Sequence, residues 1–139
     1  MSLFNVFDIT ASGMSAQSMR LNTTASNIAN ADSVSSSVDE AYRARHPVFA
    51  AAMQKAAAGQ SETSVGVDVL GIVESNKPLN VEYSPEHPMA DKDGYIYKPN
   101  VNAIEEMTNM ISASRSYQTN VQLAESAKNM LNKTLLLGK

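Results

Sequence analysis

Two long stretches of the chain repeat apolar side chains at alternating spacings of three and four. The first row runs Phe4, Phe7, Ala11, Met14, Ser18, Leu21, Ala25 and Ile28, apolar at seven of eight positions. The second runs Ala103, Met107, Met110, Ser114, Tyr117, Val121, Ala124, Lys128, Leu131 and Leu135, apolar at eight of ten. Such spacing holds one stripe on one face, and it predicts helices within residues 1–32 and 101–139 that pair as a coiled-coil-like α-hairpin. The flanks agree with this reading. Ser2 suits an N-cap, and Asn30 suits a stop because Asn tolerates the left-handed backbone found past many helix ends. Asn102 followed by Glu105 resembles a capping box, Pro99 blocks extension backwards, and Gly138 suits the exit.

Residues 33–100 have a different grain. Ser33 to Ser37 is a Ser-rich linker, Tyr42 to Phe49 alternates until Pro47 interrupts it, and Ala50 to Thr63 is expected to be a loop or short helix. Alternation by two from Val65 through Ile72-Val73, and again in Leu79 to Tyr83 and Tyr95 to Tyr97, predicts strands. Asp91-Lys92-Asp93-Gly94 is a good turn between the last two. The expected class is α+β, with long terminal helices around a small β-rich middle region.

With 139 residues, 43% of them apolar and 6% aromatic, the chain is one domain's worth of material with a thin core. A helix of about 35 residues is roughly 50 Å long, too long to bury its stripe against some 70 other residues. Charge is unevenly spread. Residues 1–31 hold only Asp8 and Arg20, residues 32–100 hold ten acids and six bases, and residues 101–139 hold three acids and four bases. The net charge of −3 argues against nucleic-acid binding, which asks for a basic face. Zero cysteines exclude disulfides, thiolate metal sites and thiol catalysis. The first residues carry no basic segment followed by an apolar run, so no cleaved secretory signal is expected, and no run approaches the roughly 18 apolar residues that cross a bilayer.

The polar face of the first helix is unusual in carrying almost no charge: Thr10, Ser12, Ser15, Gln17, Asn22, Thr23, Ser26 and Asn27. Short hydroxyl and amide groups allow close helix approach and hydrogen bonding without the desolvation cost of a charge. The second helix repeats the pattern with Asn109, Ser112, Ser116, Gln118, Thr119 and Asn120. The reading that follows is a hairpin joined through its apolar stripes, presenting polar uncharged faces to further protein. The plainer reading is a two-helix hairpin covering a small sheet, its Ser and Asn side chains solvated. Asn27 and Asn30 either satisfy backbone groups at the helix end or bond to a neighbour.

The residues from Ser15 to Asp32, Ser-Ala-Gln-Ser-Met-Arg-Leu-Asn-Thr-Thr-Ala-Ser-Asn-Ile-Ala-Asn-Ala-Asp, resemble the N-terminal signature of the bacterial flagellar rod and hook proteins. Ser112 to Val121 resembles the matching C-terminal helix of that family, and Gly94-Tyr95 through Pro99-Asn100-Val101 its approach. The short length and the ending Lys133-Thr134-Leu135-Leu136-Leu137-Gly138 are similar to the proximal-rod members. The resemblance implies a non-enzymatic structural subunit of the basal-body rod that assembles into a helical tube, transmits torque and carries export substrates. Its implied partners are copies of itself, other rod proteins and the flagellar type III export apparatus. Its implied place is the rod crossing the periplasm, reached without a cleaved signal. The expected assembly interface comprises Phe4, Phe7, Met14, Leu21, Asn27, Ile28 and Asn30 with Met107, Met110, Tyr117, Val121, Leu131 and Leu135.

Other chemistry is poorly supported. Adjacent Glu105 and Glu106 point in different directions on a helix, and Asp91 with Asp93 is common turn chemistry rather than a catalytic pair or calcium loop. His46 and His87 each precede Pro with no second His or Cys nearby, so neither reads as a zinc ligand. No catalytic residue, cofactor or metal is expected. The alternative to an assembly subunit is an adaptor that lays its helical stripe into a partner's groove.

Overall fold

A computed structural model of the chain describes residues 3–52 and 66–137. In chain order the elements are α1 (Leu3–Ala29), β1 (Arg45–Ala51), β2 (Val67–Glu74), β3 (Asn80–Tyr83), β4 (Tyr95–Lys98) and α2 (Ala103–Leu137). β1 pairs antiparallel with β2, and β3 with β4, as two separate ribbons. The α+β class with paired terminal helices is therefore present, and β2, β3 and β4 fall where the alternation predicts them, whereas Ala50 and Ala51, expected in a loop or short helix, end β1. Ser2, Gly138 and most of the 50–63 stretch lie outside the described residues.

α1 satisfies its buried hydroxyls internally. Thr10 Oγ1 donates to Val6 O at 2.8 Å, and Thr23 Oγ1 to Met19 O at 2.8 Å. Both threonines are buried, which is tolerable because no donor is left empty. The helix does not stop in the way Asn30 suggested, since no described residue other than glycine has a positive φ. Instead Asn30 Nδ2 donates to Ser26 O at 2.8 Å, while Ala31 N reaches Ile28 O at 3.1 Å, tightening the last turn. At α2 the asparagine half of the expected capping box is present: Asn102 Oδ1 accepts from Ile104 N at 3.1 Å and Glu105 N at 3.4 Å.

β1 runs through Pro47 rather than ending there. A two-stranded ribbon leaves every other N–H of each strand facing away from its partner, which gives a proline room. Its register shifts between Val48 and Phe49, a bulge opposite Gly71 and Val69. The Ser-rich segment after α1 is tied into the fold, because Ser35 and Tyr97 exchange backbone hydrogen bonds of 2.9 and 3.0 Å. On the smaller ribbon Lys98 pairs with Glu82, and that hydrogen bond and charge hold the Glu82 carboxyl below its usual range.

Asn100 fastens the ribbons to the start of α2. Its Oδ1 accepts from Ala44 N at 2.8 Å, and its Nδ2 donates to Lys77 O at 2.8 Å and Ser75 O at 3.3 Å. The preceding Pro99 is fully buried, and its carbonyl accepts from Asn80 Nδ2 at 3.0 Å. The turn before β4 closes with Gly94 N to Asp91 O at 2.9 Å. Gly94 has φ +82°, and a Cβ there would lie 2.9 Å from Tyr83 Cε2 and 3.1 Å from Pro85 Cβ. Gly94→Ala is accordingly expected to lower stability by about 1–3 kcal/mol, the usual scale for backbone strain. Thermal unfolding of the full chain checks this, and an unchanged midpoint contradicts it.

Candidate assembly interface

The two terminal helices lie antiparallel, and their contacts fall on rows spaced by seven. On α1 the row is Gly13, Arg20 and Asn27; on α2 it is Glu106, Ala113, Asn120 and Ala127. Asn27 Nδ2 donates to Glu106 Oε2 at 3.1 Å at one end. Arg20 Nη2 donates to Asn109 Oδ1 at 3.0 Å in the middle. At the other end a Cβ on Gly13 would come within 2.9 Å of Asn120 Nδ2, so the helices touch closely there. Ala16, Ala113 and Ala127 are buried along this seam. Sevens on both helices are coiled-coil geometry, but the seam is built from Gly, Ala, Thr, Asn, Arg and Glu rather than large apolar residues.

The helices pair as expected, and the residues that meet in these contacts differ from the apolar row that periodicity picks out. Met14, Leu21 and Ile28 each follow a seam residue by one position, as do Met107, Ser114 and Val121 on α2. One residue turns an α-helix by about 100°, so these residues lie beside the seam, while Met110, Tyr117 and Leu131, four past a seam residue, lie nearer to it. Because the helices run antiparallel, the same offset swings both stripes to the same flank of the hairpin. The residues one position before the seam face the other flank, where the strands sit: Ser12 Oγ accepts from Val67 N at 3.1 Å, and Ser26 Oγ lies 3.2 Å from Tyr42 Oη. α1 thus has a ribbon side, a seam side and a flank that carries Met14, Leu21 and Ile28.

Each expected interface residue can now be placed. Phe7, Met14, Leu21, Ile28, Asn30, Met110, Val121 and Leu131 are half-buried, while Phe4, Met107, Tyr117 and Leu135 are exposed. Asn27 differs from all of them, with 0% of its surface exposed. Its Nδ2 donates to Arg45 O at 2.8 Å as well as to Glu106, and its Oδ1 accepts from Arg45 N at 2.9 Å and Tyr42 Oη at 2.9 Å. All four hydrogen-bonding positions of the amide are filled. One side chain therefore joins α1, α2, β1 and the segment before it.

Arg45 belongs to this knot through its backbone, while its guanidinium lies 5.5 Å over the Tyr42 ring and pairs with Glu74 at 3.1 Å. Adjacent Glu105 and Glu106 do diverge: Glu105 is exposed and Glu106 only 4% exposed. Sequence reasoning did not foresee the contacts of Glu106, Asn100, Gly13 and Asn120, and it put Asn120 on a face presented to further protein. The available signal was the sevenfold repeat of small and polar residues, which an apolar count ignores. Further exposed apolar residues on α2 are Ile104, Ile111, Leu123, Met130, Leu136 and Leu137. Among the described residues no group of His, Cys, Asp or Glu is arranged to hold a metal, and no helix is long and apolar enough to cross a membrane.

The paired terminal helices are locked by the buried Asn27 and leave large apolar side chains exposed. Comparison with known proteins gives the class. Residues 7–35 match the family described as flagella basal body rod protein, and residues 92–137 match the C-terminal family of the flagellar basal body rod FlgEFG proteins. The flagellar basal-body rod protein FlgC of Salmonella typhimurium is 47% identical over 139 residues, covering all of both chains. Those of Escherichia coli O6:H1 and Yersinia enterocolitica are 48% and 49% identical, again over the full length of each. The chain belongs to the flagellar basal-body rod protein family, in the branch formed by the FlgC proteins. It is a structural rod subunit of the flagellar basal body and not an enzyme.

Truncating the central amide strips four hydrogen bonds and leaves Glu106 buried without its donor. Asn27→Ala is expected to cost about 2–4 kcal/mol, given a net 0.5–1.5 kcal/mol per bond. Glu106→Gln, which keeps an acceptor for Asn27, is expected to cost much less. Urea unfolding of both variants checks the order, and equal losses contradict the role given to Asn27.

Proposed function

We propose that the apolar flank of the hairpin is the surface through which this subunit joins the rod. Met14, Leu21 and Ile28 on α1, with Met107, Val121, Ile104 and Ile111 on α2, pack against helices of neighbouring subunits. Those neighbours are copies of this chain and other rod proteins. The observation that carries the reading is the offset itself. Met14, Leu21 and Ile28 are offset from the internal seam, and burying each large side chain against a neighbour is worth roughly 1.5–3 kcal/mol before ordering entropy is subtracted. The polar seam fixes which faces meet inside the chain, and the apolar flank supplies the attraction outside it.

Phe4 and Leu135 extend this surface at the open end of the hairpin. Counting from the Gly13–Asn120 contact places Phe4 beside Asn129, so α2 projects beyond the start of α1 and ends in Leu135, Leu136 and Leu137. A projecting, exposed leucine-rich end is a second point of contact along the tube. The assembled rod crosses the periplasm and transmits torque. The subunit reaches it through the flagellar type III export apparatus without a cleaved signal, a route consistent with the absence of cysteine.

Deleting the gene is expected to abolish swimming and to leave basal bodies with the membrane ring but no rod or hook, seen by electron microscopy. Complementation with the full chain restores both, whereas chains carrying Ile111→Asp or Leu21→Asp do not, although Ile111→Asp unfolds at the same urea concentration as the parent. Swimming cells with intact rods, from the deletion or from both variants, contradict the proposal.

A further inference from the structure

The geometry points to a coupling device centred on Asn27: a one-way chain of hydrogen bonds through which α2 and the segment leading into β1 hold each other in place. Counting protons gives its direction. Asn27 Oδ1 can only accept, so the Tyr42 hydroxyl, 2.9 Å away, places its one proton there. The 3.2 Å contact between Tyr42 Oη and Ser26 Oγ then has Ser26 as its donor. On the far side of the amide, Nδ2 donates to Glu106 Oε2 at 3.1 Å. The chain therefore runs from Ser26 through Tyr42 and Asn27 to Glu106, with every donor pointing toward the carboxyl group.

Each bond in such a chain polarises the next. Acceptance by Glu106 shifts electron density within the amide toward Oδ1, which strengthens what Oδ1 receives from Tyr42 and from Arg45 N. Arg45 closes on the same amide with its carbonyl, which accepts from Nδ2 at 2.8 Å. Among the described residues α2 approaches neither β1 nor β2, and each of them meets α1 instead. The hydrogen-bonded path from α2 to Arg45 thus passes through the Asn27 amide. Asn100, outside both helices, holds the neighbouring Ala44 N at 2.8 Å by a bond of its own, which keeps the segment placed when the chain is weakened. Coupling between two junctions is reciprocal. Weakening the chain at Glu106 loosens Arg45, and weakening it at Tyr42 loosens the start of α2. Docking of the last helix therefore favours securing of the first strand, across 79 positions of sequence.

The test uses the full chain and the variants Tyr42→Phe, Glu106→Gln and the two combined, which remove only a hydroxyl and a charge. Hydrogen exchange is followed residue by residue by NMR and referred to Val67 N–H, which bonds Ser12 Oγ at the other end of the ribbon, so that any global loss of stability cancels. Glu106→Gln is expected to speed exchange of the Arg45 amide about three- to tenfold, the scale of coupling within one hydrogen-bond network. Tyr42→Phe is expected to speed exchange of the Met110 amide, bonded within α2 to the Glu106 carbonyl, by a similar factor. In urea the losses of the two single variants should sum to more than the loss of the double variant. Asn109→Ala, which breaks the Arg20 contact in the middle of the seam and spares the chain, should leave Arg45 exchange unchanged. Either amide left unmoved overturns the inference, as do additive urea losses or an equal effect of Asn109→Ala. If Glu106→Gln does not fold, Tyr42→Phe decides the matter through the Met110 amide.

Discussion

The buried amide of Asn27 is the constraint from which the rest of the structure takes its geometry. An asparagine with no exposed surface must fill both donor and both acceptor positions, and here it does so with backbone of β1, the Tyr42 hydroxyl and the Glu106 carboxylate. Those partners come from three parts of the chain separated by up to 79 positions. Satisfying them together allows one register of α1 on α2 and one placement of the ribbon. Asn100 performs a parallel service at the other junction, tying Ala44, Ser75 and Lys77 to the start of α2. Two amides thus define a frame that a thin apolar core could not.

That frame explains why the helical seam can be polar. Gly13 against Asn120, and Ala16, Ala113 and Ala127 along the contact, bring the backbones close and gain packing without large side chains. Arg20 finds Asn109, and the threonines return their hydroxyls to their own helix. The seam gains specificity from these contacts and only modest hydrophobic free energy. Leucine, isoleucine and methionine remain on the outside, where they would be a liability in a monomer and are useful in a polymer. Asparagine in a sevenfold row is a known means of fixing coiled-coil register at some cost in stability.

Helix and strand positions were legible because their signals are local: 3-4 spacing for α1 and α2, alternation for β2, β3 and β4, and Asn102 for the cap. The family was legible from Ser15 to Asp32 and Ser112 to Val121. Which face of each helix turns inward was not. Stripe counting assumes that the largest apolar row is the buried one, and in this chain Met14, Leu21 and Ile28 on α1, and Met107 and Val121 on α2, sit one residue around from the seam. Local signals equally could not show that Asn27 and Glu106 meet, since nothing short of the folded chain brings them together. Pro47 misled for a related reason, as a proline interrupts an inner strand but fits a ribbon with an open side.

The central claim is that α1 and α2 of one chain pair through the small polar seam and not through their apolar stripes. The chain has no native cysteine, so a single engineered pair reports this without background. In a full chain carrying Gly13→Cys and Asn120→Cys, the new side chains would face each other across the seam, at a point where a Cβ on Gly13 lies 3.3 Å from Asn120 Cγ; a disulfide asks for roughly 3.5–4.5 Å between Cβ atoms. Mild oxidation followed by non-reducing electrophoresis and peptide mapping is predicted to give an intrachain 13–120 link in high yield. A chain that stays reduced, or that links only to a second copy, would contradict the account.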